Sequence, residues 1–425
     1  CGWVRNTNFG AEMELCGRPE ELEAFVVSLK NNHPPLSMIE SISEEEIIPA
    51  PNFEGFNIIS SLGDETVNTL ISPDICTCED CRGELLDPEN RRYRFPFINC
   101  TNCGPRFTII SELPYDRAKT SMSEFPMCEK CRAEFSDIED RRYHAQPDCC
   151  FDCGPKLFFL SEKGEEVSGN DAIEIAREQL KDGKIIAVKG LGGMHLACGT
   201  GKKEADRLRS RKQRDEKPFA LMCRDLDCAK KICKVSPKEE QVLCSERRPI
   251  VLLEKKDKNS FPHLSDNGSI GIMLPYTPLH FLLFGNDIES LIMTSANISD
   301  TPIVYKNDEA LEKLEGIADG YLLHNREIKT RCDDSVLRIY DGNEYFLRRS
   351  RGYVPYPITV QRRGPEMLAC GAEQKASFSL RKGKHIFQSQ HIGDLKNIET
   401  LNCYSEQIAH FEQLFEINPR VIARS

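Results

Sequence analysis

The stretch CEDCRGELLDPENRRYRFPFINCTNCGP, residues 78–105, returns fifty residues later as CEKCRAEFSDIEDRRYHAQPDCCFDCGP, residues 128–155. Each copy has the spacing C-x2-C-x18-C-x2-C. Two CxxC turns supply the four thiolates of a closed tetrahedral zinc site, which leaves no position for a catalytic water and serves folding. The repeat therefore predicts two structural zinc sites, with the ligands Cys78, Cys81, Cys100 and Cys103 in the first copy and Cys128, Cys131, Cys150 and Cys153 in the second.

The residues between the cysteine pairs recur as well: Arg82, Glu84, Asp87, Arg91, Arg92 and Tyr93 return as Arg132, Glu134, Asp137, Arg141, Arg142 and Tyr143. Redox-active or disulfide-bonded cysteines are the alternative to zinc, and Cys149 competes with Cys150 as the ligand. The arginine and aromatic mix of RRYRF is also typical of nucleic-acid binding. The alternating acidic residues and the overall charge favour a scaffold or channel role for the pair.

Composition limits the class of protein. Hydrophobic residues make up 40% of the 425 residues and charged residues 29%, the balance of a soluble protein of two to four domains. The net charge of −11 makes nucleic acid an unlikely partner. No apolar run reaches the length needed to cross a bilayer, so no membrane partner is expected. Paired cysteines without a secretion signal indicate the reducing cytoplasm. The start at Cys1, not Met, leads us to expect a piece of a longer protein.

The N-terminal region predicts a small α+β unit. GWVRNT and AEMELCG, around a turn at Gly10, have the pattern of two strands, and residues 53–60 have that of another. Residues 18–32 predict an amphipathic helix with Leu22, Phe25, Val26 and Leu29 on one apolar stripe. On its own, Asn6 is as readily a turn residue as a functional one. The order resembles the second half of an acylphosphatase domain, which implies that Asn6 is catalytic. The phosphate loop and arginine of that family are expected before Cys1, so this stretch alone is expected to lack acyl-phosphate hydrolysis.

Downstream of the cysteine repeat, the pattern changes to that of an α/β domain. Residues 171–180 have helical periodicity, and the buried strand IIAVKG runs into the glycine-rich LGGMHLACGT, which is not a Walker-type P-loop. Five cations then fall within nine residues: Arg209, Arg211, Lys212, Arg214 and Lys217. A solvated helix end would give the same pattern, but a triphosphate needs such fixed positive charge.

Several separated motifs resemble the YrdC-like family, which activates a carbamoyl-type group with ATP. They are K-x-R-x-x-K-P from Lys212 to Pro218, TSAN from Thr294 to Asn297, and DDSV from Asp333 to Val336. The resemblance implies that ATP and the carbamoyl group are bound by Lys189, His195, Lys212, Arg214, Lys217, Thr294, Ser295, Asn297, Arg331, Ser335 and Arg351. For His195, a place in the core is an equally good interpretation.

From Met367 the chain has the pattern of a strand, a turn and a second strand. This segment resembles the opening of an actin/Hsp70-like domain, whose metal-binding histidines lie further downstream. The complete order is similar to that of the HypF family of hydrogenase-maturation carbamoyltransferases. The predicted fold is therefore multidomain, α+β and α/β. Its parts are a partial, ferredoxin-like acylphosphatase domain (1–62), two four-cysteine zinc units (73–160), a YrdC-like domain (168–357) and the N-terminal part of an actin-like domain (364–425).

This resemblance implies a reaction sequence. Carbamoyl phosphate is cleaved to carbamate, ATP with Mg2+ converts carbamate to carbamoyl-adenylate, and the carbamoyl group passes to the C-terminal cysteine of HypE for cyanide synthesis. Two other functions stay open: a threonylcarbamoyl-adenylate synthase of tRNA modification, and a zinc-ribbon RNA-binding protein. A threonine requirement would favour the former, and salt-dependent RNA binding without adenylate formation would favour the latter.

Overall fold

The computed structural model describes residues 1–7, 10–33, 39, 41–48, 53–59, 70–214, 217–298 and 301–424, except for the side chain of Asn6. The chain divides into two compact units, Cys1–Leu70 and Ile71–Ser425. Among the described residues, no helix combines the length and apolar character required to cross a bilayer.

The first unit contains a three-stranded sheet and one helix. Strand β1 (Gly2–Thr7) lies between β2 (Gly10–Leu15), which is antiparallel to it, and β3 (Phe56–Ile58), which is parallel. Helix α1 (Pro19–Asn31) connects β2 to the segment before β3, and its proline occupies the first helical position. This confirms the acylphosphatase-like order of elements.

The structure tests the predicted apolar stripe of α1 but not the predicted catalytic role of Asn6. On α1, Leu22, Val26 and Leu29 are half-buried as predicted, whereas Phe25, placed on the same stripe, is exposed. The backbone of Asn6 pairs with Ala11 in the β1–β2 ladder. The side chain of Asn6 lies outside the described part of the chain, so its catalytic role stays a prediction.

The second unit opens with the cysteine repeat. Helix α2 (Glu79–Leu86) starts directly after Cys78, and α3 (Glu129–Ser136) starts directly after Cys128. The first CxxC pair of each copy thus occupies the N-cap and the first turn of its helix. Between the two copies, short 3-10 turns span Arg117–Lys119 and Ser121–Glu124.

A mixed sheet, eleven strands wide among the described residues, follows the repeat. In chain order its strands are β4 (Leu157–Ser161), β5 (Glu166–Ser168), β6 (Ile186–Lys189), β7 (Met194–Cys198), β8 (Ala220–Cys223), β9 (Ile250–Glu254), β10 (Ser269–Met273), β11 (Ser290–Ser295), β12 (Gly320–His324), β13 (Val336–Tyr340) and β14 (Asn343–Arg348).

Their spatial order is β14-β13-β9-β10-β8-β11-β7-β6-β12-β4-β5. The pairs β6–β12, β8–β10 and β9–β13 are parallel, and the other neighbours are antiparallel. The hairpin of β4 and β5 belongs to this sheet, so the sheet starts before the predicted domain boundary at residue 168.

Helices connect the strands and cover the sheet. They are α4 (Asn170–Lys181), α5 (Lys202–Arg211), α6 (Leu226–Ile232), α7 (Pro237–Leu243), α8 (Pro278–Phe284) and α9 (Asn307–Lys313). The central strands β6 and β7 are buried along their whole length, as expected for continuous apolar runs between two layers. One hydrophobic core joins these strands to α5, α6 and α9.

The C-terminal segment forms a second, smaller sheet. Strands β15 (Ile358–Cys370) and β16 (Phe378–Gln388) are antiparallel, helix α10 (Ile398–Phe415) follows them, and β17 (Val421–Arg424) pairs parallel with β15. The predicted strand–turn–strand is confirmed. Aromatic rings of β16 and α10 pack edge to face or stacked, which fixes the helix on the sheet.

The loop after β6 is tightly packed at Gly192, which yields the first prediction. A Cβ at Gly192 would lie 2.3 Å from the carbonyl oxygen of Cys332 and 2.9 Å from its backbone nitrogen. Because backbone atoms cannot move aside cheaply, Gly192→Ala should lower stability by about 1–3 kcal/mol. The measurement is the midpoint of thermal unfolding.

Gly83 in α2 provides the control, since no atom lies within 4 Å of a Cβ built there. Gly83→Ala should leave stability unchanged or raise it by roughly 0.5–1 kcal/mol. Equal midpoints for Gly192→Ala and the wild type would show that the loop is not packed as described.

Candidate functional site

The two cysteine quartets each form a compact cluster. Within each cluster the Sγ atoms all lie within 4.8 Å of one another. Neighbouring sulfurs are 3.5–3.8 Å apart in the first cluster and 3.7–3.9 Å apart in the second. Sulfurs about 2.3 Å from a tetrahedral zinc ion would be about 3.8 Å apart, so both clusters fit zinc. Cys149 belongs to neither cluster, and burial raises the pKa of its thiol to about 12.

Arginines of each copy bind the cluster of the other copy. Arg91 donates from Nη2 to Sγ of Cys131 at 3.3 Å and pairs with Glu134 at 2.5 Å. In the second copy, Arg141 donates from Nη1 to Sγ of Cys81 at 3.2 Å and pairs with Glu84. These reciprocal contacts explain why the residues between the cysteines are repeated. A charged donor on a thiolate ligand stabilises the negative charge that zinc requires.

The next arginine of each copy is buried and reaches a shared carboxylate. Arg92 contacts Asp148 Oδ1 at 2.9 Å, and Nε of Arg142 lies 3.5 Å from the same oxygen. Arg92, Arg142 and Asp148 are all buried. Of the RRYRF arginines considered for nucleic-acid binding, Arg91 and Arg92 are therefore engaged inside the zinc module, and Arg94 pairs with Glu174 of α4.

A cavity of about 430 Å³ lies at one end of the large sheet. Six residues predicted to bind nucleotide or carbamoyl group line it: Lys212, Arg214, Lys217, Ser295, Asn297 and Arg331. A volume of this size suits a nucleotide-sized ligand. The cluster of cations predicted at the start of this domain thus shares a common cavity with the polar end of the TSAN strand.

Lys212 connects the two motifs. It follows the last residue of α5, and its ammonium donates to the carbonyl oxygen of Ser295 at 2.6 Å and to Oδ1 of Asn297 at 2.9 Å. The Ser295 hydroxyl donates to the same amide oxygen of Asn297 at 3.0 Å. Burial lowers the pKa of Lys212 to about 7, and the neighbouring Arg214 adds to this effect.

Arg214 contacts neutral acceptors and a ring at the cavity. It donates to Thr294 Oγ1 at 3.3 Å and to the carbonyl oxygens of Lys217 and Pro218 at 3.1 and 2.7 Å. Its guanidinium lies 5.1 Å from the centre of the Phe219 ring. Thr294 is therefore placed behind Arg214 and positions it, while Arg214 itself borders the cavity.

The same cavity is also lined by polar residues that the sequence-based site did not include. They are Asp333, Arg348, Gln374, Lys375, Gln390, His391 and Asp394. Arg348 forms an ion pair with Asp333, and burial lowers the pKa of His391 to about 4, so that it is neutral at pH 7. Most of these residues lie between β15 and α10, in a segment predicted as a separate domain. In the sequence, only the polar runs EQK and SQHIGD indicate these residues, because the two runs interrupt an otherwise strand-like pattern.

Three predicted site residues lie in the interior beside the cavity rather than on its wall. Nε2 of His195 is 2.9 Å from Asp334, whose other oxygen accepts from Nε of Arg351 at 2.6 Å. Burial alone would raise the pKa of Asp334, but Arg351 and His195 lower it below its ordinary value. The Ser335 hydroxyl donates to the carbonyl of Arg351 and accepts from the backbone N–H of Ser350. This network fixes the start of β13 and places Asp333 at the cavity.

Lys189, at the end of β6, also lies away from the 430 Å³ cavity. Its ammonium donates to Asn307 Oδ1 at 2.8 Å and to the carbonyl of His324 at 3.0 Å. Burial lowers the pKa of Lys189 to about 8, and Arg326 contributes. Lys189 borders a second, smaller cavity instead.

Four known families match successive parts of the chain. They are described as acylphosphatase (residues 1–58), HypF finger (77–110 and 127–160), telomere recombination of the Sua5/YciO/YrdC type (178–350) and HypF Kae1-like domain (362–424). The chain is 46% identical to carbamoyltransferase HypF2 of Cupriavidus necator, over 99% of this chain and 55% of that protein. It is 44% identical to carbamoyltransferase HypF of Synechocystis sp., over 99% and 55%. The chain belongs to the HypF family.

Solved HypF structures match the fold as well. A full-length HypF in a phosphate- and nucleotide-bound form has a TM-score of 0.91 and 47% identity, covering 100% of this chain and 56% of that one. HypF of T. kodakarensis has a TM-score of 0.87 and 43% identity, covering 99% and 55%. The chain spans about half the length of the HypF relatives that it matches.

The zinc clusters yield a direct metal prediction. Cys78→Ser removes one of four ligands, so purified protein should contain one zinc ion instead of two by elemental mass spectrometry. Cys149→Ser is the matched control, because Cys149 is buried beside the second cluster but is not a ligand, and it should retain both ions. Two ions in Cys78→Ser, or one in Cys149→Ser, would contradict the ligand assignment.

Because each copy donates an arginine to a cysteine of the other copy, we expect the loss of that arginine to weaken zinc binding by the other copy's cluster. Arg141→Gln should speed zinc release from the first cluster, because it removes the donor to Cys81. Chelator treatment followed by alkylation and peptide mass spectrometry identifies the cysteines that react first.

The peptide that contains Cys81 should react earlier in Arg141→Gln than in the wild type. Arg132→Gln, at an exposed position of the same copy, should show the wild-type order. Earlier alkylation of Cys131 than of Cys81 in Arg141→Gln would contradict the crossed arrangement.

Proposed function

We propose that this chain carries the ATP-dependent, carbamoyl-adenylate-forming part of a carbamoyltransferase for nickel–iron hydrogenase maturation. The observation that carries the proposal is the meeting of Lys212, Arg214 and the TSAN strand end at one cavity of nucleotide size. Membership in the HypF family and the similarity to a nucleotide-bound HypF support it. The reducing cytoplasm stays the expected compartment for a chain whose paired cysteines bind metal as thiolates.

The proposed chemistry proceeds in three balanced steps. Water and carbamoyl phosphate give carbamate and phosphate, with Asn6 of the acylphosphatase-like unit as the predicted catalytic residue. An oxygen of carbamate then attacks the α-phosphorus of ATP, pyrophosphate leaves, and carbamoyl-adenylate forms. Finally, the thiolate of the C-terminal cysteine of HypE attacks the carbamoyl carbon, AMP leaves, and the thiol proton goes to solvent or base.

The cavity residues have distinct parts in the second step. Lys212, Arg214, Lys217 and Arg331 neutralise the phosphates and the charge that spreads during transfer, while Ser295 and Asn297 orient the reacting groups. Mg2+ is expected to bind mainly to phosphate oxygens, and Asp333 and Asp394 are the carboxylates among the described residues that line the cavity. His195, Ser335 and Arg351 act from the interior, since they hold the strand that presents Asp333.

The alternatives make different demands. A threonylcarbamoyl-adenylate synthase would need threonine for adenylate formation. An RNA-binding zinc ribbon would need exposed arginines, whereas Arg92 and Arg142 are buried against Asp148. Mass spectrometry of the products from ATP and carbamate, with and without threonine, separates the three. Carbamoyl-AMP as the product supports the proposal, and a threonine-dependent product supports the synthase. The absence of any adenylate product contradicts both of these enzymatic functions.

Lys212 should be essential for the adenylation step. Lys212→Ala should reduce carbamate-dependent ATP–pyrophosphate exchange by about 100-fold or more, because it removes a fixed positive charge from the phosphate site. Lys202→Ala is the control, since Lys202 is an exposed residue at the other end of α5 and pairs only loosely with Asp206. Exchange at the wild-type rate in a folded Lys212→Ala protein would refute the assigned role.

The lowered pKa of Lys212 predicts proton uptake when ATP binds. In the free protein this amine is largely neutral above its pKa of about 7, whereas a bound triphosphate favours the charged form. ATP binding should therefore weaken as pH rises from about 6 to about 8, and up to about one proton should be taken up at the higher pH. Calorimetry in buffers of different ionisation enthalpy measures it. Lys212→Met should abolish the uptake; an unchanged uptake would assign it to another group.

A further inference from the structure

Arg331, one of the cations that line the 430 Å³ cavity, lies on a stretch of chain outside the described helices and strands. Residues 329–332, here called the Arg331 segment, follow β12 and precede β13. Because the segment has no strand ladder of its own, contacts with other parts of the chain set its position. One of them comes from the loop after β6, where the N–H of Cys332 donates to the carbonyl oxygen of Gly192 at 2.8 Å.

The first zinc unit binds the backbone of the Arg331 segment. The carbonyl oxygen of Thr108 accepts hydrogen bonds from the N–H groups of Lys329 at 2.8 Å and Thr330 at 3.3 Å. Thr108 lies five residues after the last ligand of the first cysteine cluster, and it is fully buried. Two successive N–H groups on one carbonyl oxygen fix both the position and the direction of the backbone that leads into Arg331.

Asp74 holds Thr108 in place. Its Oδ1 atom accepts three hydrogen bonds, from the N–H of Arg106 at 2.8 Å, from the N–H of Thr108 at 3.3 Å and from the Thr108 hydroxyl at 2.9 Å. Asp74 is 1% exposed, so these bonds are shielded from water. The Arg106 guanidinium donates in turn to the carbonyl oxygen of Cys100, a predicted zinc ligand, at 3.2 Å. Hydrogen bonds thus connect the first cluster to the Arg331 segment through Asp74 and Thr108.

The C-terminal segment binds other atoms of the same stretch. The Thr330 hydroxyl lies 2.9 Å from Nε2 of His410 in α10, and Nε2 of Gln390 donates to the carbonyl oxygen of Arg331 at 3.0 Å. These contacts do not use the two N–H groups that the zinc unit binds. The zinc unit and the C-terminal segment therefore make separate contributions, and variants of the zinc unit test the first of them alone.

The side chain of Arg331 has only weak restraints among the described residues. Its guanidinium lies 4.6 Å from the centre of the Tyr305 ring, and its Nη2 atom is 3.5 Å from Oε2 of Glu406, whose side chain is 63% exposed. An ion pair this exposed contributes little. The position of the guanidinium therefore depends mainly on where the backbone places it. A shift of about 1 Å at a reacting centre can cost roughly 100-fold in rate, so this placement matters for a cation that meets phosphates.

We propose that Asp74 is a positioning residue for adenylation, which acts through Thr108 on the backbone that carries Arg331. This inference rests on the proposed function, in which Arg331 neutralises the phosphates of ATP. Asp74 does not line the cavity itself, so its effect on the reaction passes through the Arg331 segment. The first zinc unit thus sets the position of a cation that belongs to another part of the chain.

Hydrogen–deuterium exchange tests the contact without any turnover. In Asp74→Ala, the amides of Lys329 and Thr330 should exchange about tenfold faster or more than in the wild type, because Thr108 is released and their acceptor moves. The amides of the central strand β8 should keep the wild-type rate, which separates a local shift from general unfolding. Wild-type exchange at both Lys329 and Thr330 in folded Asp74→Ala protein would overturn the inference.

Asp74→Asn is the conservative variant. Its amide oxygen can accept the same three hydrogen bonds, so the amides of the Arg331 segment and the rate of pyrophosphate exchange should both stay close to wild type. Equal losses in Asp74→Asn and Asp74→Ala would show that the acceptor at this position does not place the segment, and would contradict the inference.

A double-mutant cycle shows whether Asp74 acts through Arg331. Asp74→Ala should lower kcat/KM for carbamate-dependent ATP–pyrophosphate exchange about tenfold or more, and it should cost nothing further in an Arg331→Ala background. Asp148→Ala is the matched control, because it also removes a buried carboxylate of the zinc units, but one that pairs with Arg92 and Arg142. Its loss should multiply with that of Arg331→Ala. Multiplied losses for Asp74→Ala, or a wild-type rate in Arg331→Ala, would overturn the inference.

Two provisions keep the test decisive. If Asp74→Ala does not fold, Thr108→Val replaces it in both experiments, since it removes one of the three hydrogen bonds to Asp74. If the wild type forms no carbamoyl-adenylate, the proposed function fails on its own. The cycle is then measured on ATP affinity by calorimetry, where a loss shared with Arg331→Ala supports the positioning role and independent losses overturn it.

Discussion

The contact of the Lys212 ammonium with the Ser295 carbonyl and the Asn297 amide oxygen sets the geometry of the candidate site. It joins the end of α5 to the end of β11, two points far apart in the sequence. Both of these acceptors are neutral, so they solvate the charge of Lys212 without cancelling it. The remaining cations that line the cavity, Arg214 and Lys217 among them, surround a position already fixed by the sheet.

The buried arginines that face carboxylates have structural positions in this protein. Arg92 and Arg142 face carboxylates, and Arg351 faces Asp334, so their charges are balanced within the fold. Lys212 and Arg214 line the cavity, and their described contacts include carbonyl, hydroxyl and amide oxygens. Arg351 does not line the cavity; it holds the strand that presents Asp333 there.

The zinc ligands and the polar end of the TSAN strand could be predicted from the sequence because both depend on local spacing. The C-x2-C-x18-C-x2-C repeat determines its ligand sets almost alone, and the TSAN strand end carries its polar residues wherever the strand goes. The sequence did not predict which residues from distant segments meet at the cavity. Nothing in the run SQHIGD shows that His391 lines the same cavity as Lys212. The DDSV motif likewise does not reveal that Asp334 points inward while Asp333 lines the cavity. The crossed arginines of the repeat likewise need two copies in contact before their partners are known.

The zinc module also has a structural role toward the large sheet, which its closed coordination alone would not indicate. Backbone hydrogen bonds join it to the sheet region, from Cys76 to Glu246, from Thr77 to Tyr276 and from Lys329 to Thr108. The module supplies Thr77 and Phe97 to the smaller cavity that Lys189 borders, so one wall of that cavity depends on cysteine clusters rather than on a large apolar core. Because zinc binding and folding are coupled in such units, the metal holds that wall in place. A structural ion with no open coordination position can therefore still determine the shape of a cavity that its ligands do not line.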